Sequence, residues 1–146
     1  MTNKIQILDC TLRDGGYYNN WKFDKSTINN YLQSMSKANI DIVEIGFRFT
    51  KKNSIFGQLA NTQDEFLNKL EIPNNLKIAI MINGEEYYNN KLLLDQLFLH
   101  KKNSKIDLIR IAINIKHFIK IKFIAKYLKN KKYQIAINLM QSNDIT

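Results

Sequence analysis

Scarcity is informative at several points in this sequence. Its lone cysteine, Cys10, can close no internal disulfide and has no CxxC or CxxH neighbour. That removes an oxidised scaffold and a zinc ribbon and leaves Cys10 as a small, buried apolar residue beside the first strand. The lone proline, Pro73 in EIPNN, falls in a loop, and no low-complexity linker divides the chain, so residues 1–146 read as a single domain. No window approaches the roughly 18 uninterrupted apolar residues of a spanning helix, and MTNKIQILDC carries charge where a signal peptide needs an apolar core. The expectation is a cytoplasmic protein with no membrane partner. Acidic residues are also in deficit, 13 against 22 Lys and Arg, for a formal charge of +9. The excess is scattered among Asn and Ile. In the densest run, IKHFIKIKFIAKYLKNKK, the residues Ile119, Phe123, Ile124, Tyr127 and Leu128 recur at helical spacing. That pattern describes a surface helix with one solvated face, and nucleic acid is not the expected partner.

What the chain does have is a set of short apolar runs. KIQILD from Lys4, DIVEIG from Asp41, KIAIMIN from Lys77, IDLIRIAIN from Ile106 and QIAINLM from Gln134 are near-continuous in Ile, Val, Leu, Ala and Met. Strands buried on both faces of a parallel sheet have this composition, whereas half-exposed strands alternate. Helical patterns lie between them: Asp24 as cap before Ile28, Tyr31, Leu32 and Met35; Phe66, Leu67 and Leu70 after Thr62; Leu92, Leu93, Gln96 and Leu97; and Ile119 to Leu128. Successive strand-helix units with no hairpin predict an α/β fold.

In such folds chemistry collects where strands exit. The first run leaves through Asp9, Thr11, Arg13 and Asp14, and the second carries Glu44 and leads to Arg48. Asn83, Asn114 and Asn138 stand in or at the ends of the others, and Arg110 interrupts the fourth. Asn83 and Asn114 read equally well as plain strand termination. Glu44 and Arg110 speak more strongly, because a charge buried in an apolar run needs a partner or a metal. At Asp14 a carboxylate is a hard oxygen ligand suited to Mg or Mn, and the adjacent Arg13 can donate paired hydrogen bonds to a carboxylate or a developing enolate oxygen. Gly15 and Gly16 are expected to let the backbone turn sharply there. Tyr17, Tyr18 and Trp21 can line a pocket or simply pack. A Schiff-base mechanism is disfavoured, because no lysine stands at a strand exit: Lys77 opens its strand at the opposite end, and only loop lysines such as Lys51 or Lys116 keep that route open.

ILDCTLRDGGYYNNWKF, followed by IDIVEIGFR and, near the end, YQIAINLMQ, resembles the metal-dependent aldolase and lyase superfamily. That group includes hydroxymethylglutaryl-CoA lyase, 4-hydroxy-2-oxovalerate aldolase, isopropylmalate synthase and the pyruvate carboxyltransferase domain. The resemblance covers the chain in order. It implies a TIM barrel in which a divalent metal, Mg or Mn, polarises a 2-oxo acid or acyl-CoA substrate for carbon-carbon cleavage or condensation through an enolate. By position it makes Asp14 the metal ligand, Arg13 and Glu44 the catalytic pair, and Asp9 and Asn138 supporting residues. The family completes its metal site with a His-x-His pair on a later strand. Here His100 and His117 stand seventeen residues apart and read as surface residues. A full barrel takes eight βα units and about 250 residues, so the chain reads as the N-terminal part of one, about five strands of a partial barrel. The expected activity is a lyase or aldolase present in truncated form, with the metal incompletely liganded. The alternative is a non-catalytic remnant or partner-binding fragment of such an enzyme. Besides a small-molecule substrate, the expected partner is a second copy in a homo-oligomer or a missing C-terminal portion covering the open sheet edge.

Overall fold

The computed structural model describes residues 5–51 and 53–144. Its five strands are β1 (Leu8–Asp9), β2 (Ile42–Phe47), β3 (Lys77–Asn83), β4 (Ile106–Asn114) and β5 (Gln134–Met140). They form one sheet in the order β1-β2-β3-β4-β5, and every neighbouring pair is parallel. This open, curled sheet with interspersed helices is a partial TIM-barrel-like α/β fold, as expected. Lys4, where the first run was expected to start, lies outside the described residues. β1 is shorter than that run: Ile5 and Ile7 are exposed, and pairing begins where Leu8 meets Ile42.

The helices are α1 (Thr11–Asn19), α2 (Lys25–Lys37), α3 (Asp64–Leu67), α4 (Gly84–Tyr87), α5 (Lys91–Leu97) and α6 (Ile121–Asn130). α2 forms as its sequence predicts. Asp24 accepts from the Thr27 N–H at 2.8 Å and from its hydroxyl at 2.7 Å, while Ile28 and Leu32 drop into the core. Burying each of those side chains is worth about 2 kcal/mol. α5 starts in the same way, its Leu93 N–H donating to Asn90 at 3.0 Å. The fourth helical pattern needs correction. Residues Ile115–Lys120 form a 3-10 turn, α6 begins only at Ile121, and Ile119 is 82% exposed. The stripe that reaches the core is Ile121, Ile124 and Leu128.

Alternation along the strands sorts side chains into two layers. Ile78, Ile80 and Ile82 of β3 and Ile109, Ile111 and Ile113 of β4 join the helices in the main core. On the opposite face Ile42, Ala79 and Leu108 form a small second cluster with Leu8 and Ala136. Among the described residues β5 has one hydrogen-bonded neighbour, β4, and its Ile137, Leu139 and Met140 stay exposed. No helix among the described residues is long and apolar enough to cross a membrane.

Candidate active site

After Asp9, the last residue of β1, and Cys10 at the N-cap, the residues TLRDGG are helical. Asp9 braces the start of α1, accepting from the Thr11 N–H at 3.1 Å and the Thr11 hydroxyl at 2.8 Å. It also accepts from the Tyr31 hydroxyl of α2, and burial together with that bond pushes the Tyr31 pKa up to about 12. Gly15 and Gly16 lie within α1 with ordinary negative φ, so the expected sharp turn is absent. Gly16 is needed for space: a Cβ there would sit 1.9 Å from the Trp21 ring. The chain reverses one step later, at Asn20 and Trp21, whose φ angles are 58° and 55°. Left-handed backbone is costly for a bulky residue. Burial of the indole offsets it: the ring N–H donates to the Arg13 carbonyl at 3.0 Å, and the ring meets Tyr17, Phe47, Phe49 and Phe56 edge-on at 4.9, 5.7, 5.6 and 5.2 Å.

This anchoring aims Arg13 at β2. Its Nε donates to Glu44, which is fully buried, and from β4 the Arg110 Nη1 reaches both Glu44 oxygens at 3.0 and 3.1 Å. Two guanidiniums thus share one carboxylate. Burial pushes the Glu44 pKa up, and the two arginines oppose that rise. Arg13 spends its other nitrogens on Asp14, at 2.7 and 3.2 Å, and lies over the Phe47 ring at 5.5 Å. Burial lowers its pKa, but Glu44 and Asp14 more than compensate, leaving it above the ordinary value. Arg110, 20% exposed, keeps Nε and Nη2 without a protein partner among the described residues. Asn138 is half-buried on β5; its register partner Ala112 lies two residues beyond Arg110 along β4. Asp14 is 54% exposed and accepts a hydrogen bond from the Cys10 thiol at 3.2 Å. Cys10 is therefore half-buried and bonded, not the buried filler expected, and its pKa is raised by burial first and then by Asp14.

Arg48 does not belong to this group. The β2 register slips between Glu44 and Gly46, where a Cβ on Gly46 would lie 2.1 Å from the Leu59 carbonyl oxygen. The slip breaks the two-residue alternation. Phe47 then lies beneath Arg13, while Arg48 turns among the helices and is fully buried. Its donors reach the Thr62 carbonyl at 2.7 Å, the Leu97 carbonyl at 2.6 Å and Asp64 at 3.3 Å, and its guanidinium covers the Phe98 ring at 5.0 Å. Asn83 and Asn114 act as caps, accepting from the N–H groups of Glu85 at 3.2 Å and Lys116 at 2.9 Å. His100 caps a 3-10 turn, and His117 pairs with Glu85.

The structure therefore brings Arg13, Asp14 and Glu44 together, adds Arg110, and sets Asp9 to bracing α1. Arg110 had a visible signal, a charge inside an apolar strand. Phe47 had none, because its place depends on the bulge; Trp21 was open to lining a pocket or packing, and the reversal after α1 makes it pack. A divalent ion fits poorly. Asp14 offers one half-exposed carboxylate already engaged by Arg13 and Cys10, and among the described residues no group of three or more His, Cys, Asp or Glu could hold an ion.

No family model and no curated protein matches the chain. A solved structure does: the N-terminal domain of a "putative aldolase" from Bacteroides vulgatus, 32% identical with a TM-score of 0.77. The match covers 95% of this chain and 46% of that one, so this chain spans less than half the length of its relative. The chain is a distant homologue of that protein, with the same partial-barrel fold.

Proposed function

We propose that the chain is part of a carbon-carbon lyase or aldolase of the metal-dependent superfamily, acting on a 2-oxo acid or acyl-CoA type substrate through an enolate. The observation that carries this reading is the arrangement at Glu44: two cations converge on one buried carboxylate, and Arg110 keeps unspent donors. A 4-hydroxy-2-oxo acid presents a carboxylate, and in the retro-aldol direction its C3–C4 bond breaks as the 4-hydroxyl gives up its proton and becomes an aldehyde carbonyl, leaving the electron pair on the 2-oxo fragment as an enolate. Guanidinium donors fixed before reaction stabilise both charges. In this reading Arg110 takes the substrate's anionic group, Arg13 pairs with the developing enolate oxygen, and Glu44 keeps both cations in register. Asp9 and Asn138 support the site. Mg or Mn is the ion the resemblance assigns to Asp14, but the described residues supply no companions for it, so the roles here rest on the arginines.

Proton exchange at the methyl group of pyruvate in heavy water, followed by NMR with Mg or Mn present, tests this directly. The chain should speed the exchange above the buffer rate, and Arg13→Ala should cut the gain by about 100-fold. Exchange at the buffer rate in every condition would sink the reading. The lack of a ligand set among the described residues, with the exposed apolar side chains of β5, favours a second reading: a non-catalytic or partner-binding fragment whose edge is covered by a second copy or by further chain. Sizing chromatography showing association without exchange would support it.

A further inference from the structure

An open cleft of about 610 Å³ lies against the segment after β2, walled by Phe49, Phe56, Lys51, Asn53, Ser54 and Gln58, among others. A hollow of about 360 Å³ shares four of these residues and extends it toward Glu86. We propose that this cleft binds a small anion with a flat apolar body, of the aromatic carboxylate class.

Its volume is in the range of small-molecule sites. The cleft is shaped in advance. Gly57 N–H bonds to the Asn20 carbonyl at 2.8 Å and Phe49 N–H to the Ala60 carbonyl at 3.2 Å, while a Cβ on Gly57 would lie 2.1 Å from the Trp21 carbonyl oxygen. Phe49 and Phe56 supply apolar ring surface, tilted at 43° with centroids 6.3 Å apart. Its charge is one-sided: Lys51 is a cation, the other polar groups in the wall are neutral amides and a hydroxyl, and among the described residues the main cleft has no carboxylate in its wall. Asn53 spends its oxygen on the Ile55 N–H, which leaves its amide nitrogen to donate. In the extension, Glu86 accepts from Thr50 N–H at 3.1 Å and from its hydroxyl at 2.7 Å. Ring surface beside the Lys51 ammonium, with the nearest carboxylate, Glu86, confined to the extension and engaged by Thr50, selects an apolar anion over a cation. The same wall reports on occupancy, because both rings touch Trp21, the chain's single tryptophan. Phe49 also stacks on Phe47 at 4.6 Å, beneath Arg13.

The test is binding alone and is independent of the reaction proposed above. The chain is titrated with 2-naphthoate and, separately, with neutral 2-naphthamide, by calorimetry and by Trp21 emission. The expected result is saturable binding of 2-naphthoate with a Kd below about 1 mM. Lys51→Gln should weaken 2-naphthoate and leave 2-naphthamide unchanged. Ser54→Phe, a change at an exposed wall position that fills the cleft, should weaken both by about tenfold or more. No saturation for the parent chain, or Lys51→Gln binding 2-naphthoate as the parent does, overturns the proposal.

Discussion

Two arginines follow or oppose the same short strand and meet different fates. Arg48 is sealed among the helices with a backbone carbonyl or Asp64 on each nitrogen, whereas Arg110 holds Glu44 through one nitrogen and leaves the others open. Both sit beside buried carboxylates, so charge alone does not separate a structural cluster from one able to take a ligand. What separates them is whether the donors are spent. A saturated guanidinium stabilises the fold and can recognise nothing, while an unsaturated one is preorganised for an anion.

The contrast can be broken most forcefully at the sealed cluster. Arg48→Met leaves the Asp64 carboxylate with only the Ser104 hydroxyl and removes the donors to the buried Thr62 carbonyl and the part-buried Leu97 carbonyl, and should cost about 3–5 kcal/mol, read as a lowered urea midpoint or loss of the folded signal. The open cluster should respond with the opposite sign. Because burial raises the folded pKa of Glu44 above its unfolded value, the stability this group contributes is complete below about pH 4 and lost as pH rises through the folded pKa. Glu44→Gln lacks that loss, so its urea midpoint should match the parent in acid and exceed it increasingly toward neutral pH. A variant less stable than the parent at neutral pH would show that the two guanidiniums outweigh burial. The smallest effect belongs to Asp14→Asn. With Asp14 half-exposed, its pairing with Arg13 is screened, and melting should report a change of about 1 kcal/mol or less.

These sites were unevenly legible. Glu44 and Arg110 stood out because charges inside apolar runs demand partners, and each found the other. The expected turn at Gly15 and Gly16 failed for a local reason: two adjacent glycines suit a turn, but Gly16 serves the Trp21 ring that packs against it, a contact made by a residue five positions on. The fate of Arg48 was not legible at all, because the bulge between Glu44 and Gly46 reverses the parity of the residues that follow it, and register slips of this kind depend on the neighbouring strand. The later helix was displaced because Ile119 fits the spacing of the stripe while lying in the 3-10 turn before it.

By itself, then, the order of residues determined the five parallel strands, the helices that cross between them and the acidic and basic groups available for chemistry, because each depends on local periodicity and on the cost of burying an unpaired charge. Tertiary structure alone decided which arginine was spent and which stayed open. A one-residue slip in register turned Arg48 among the helices, and the reversal at Trp21 anchored Arg13 over Phe47, and neither leaves a local mark in the sequence.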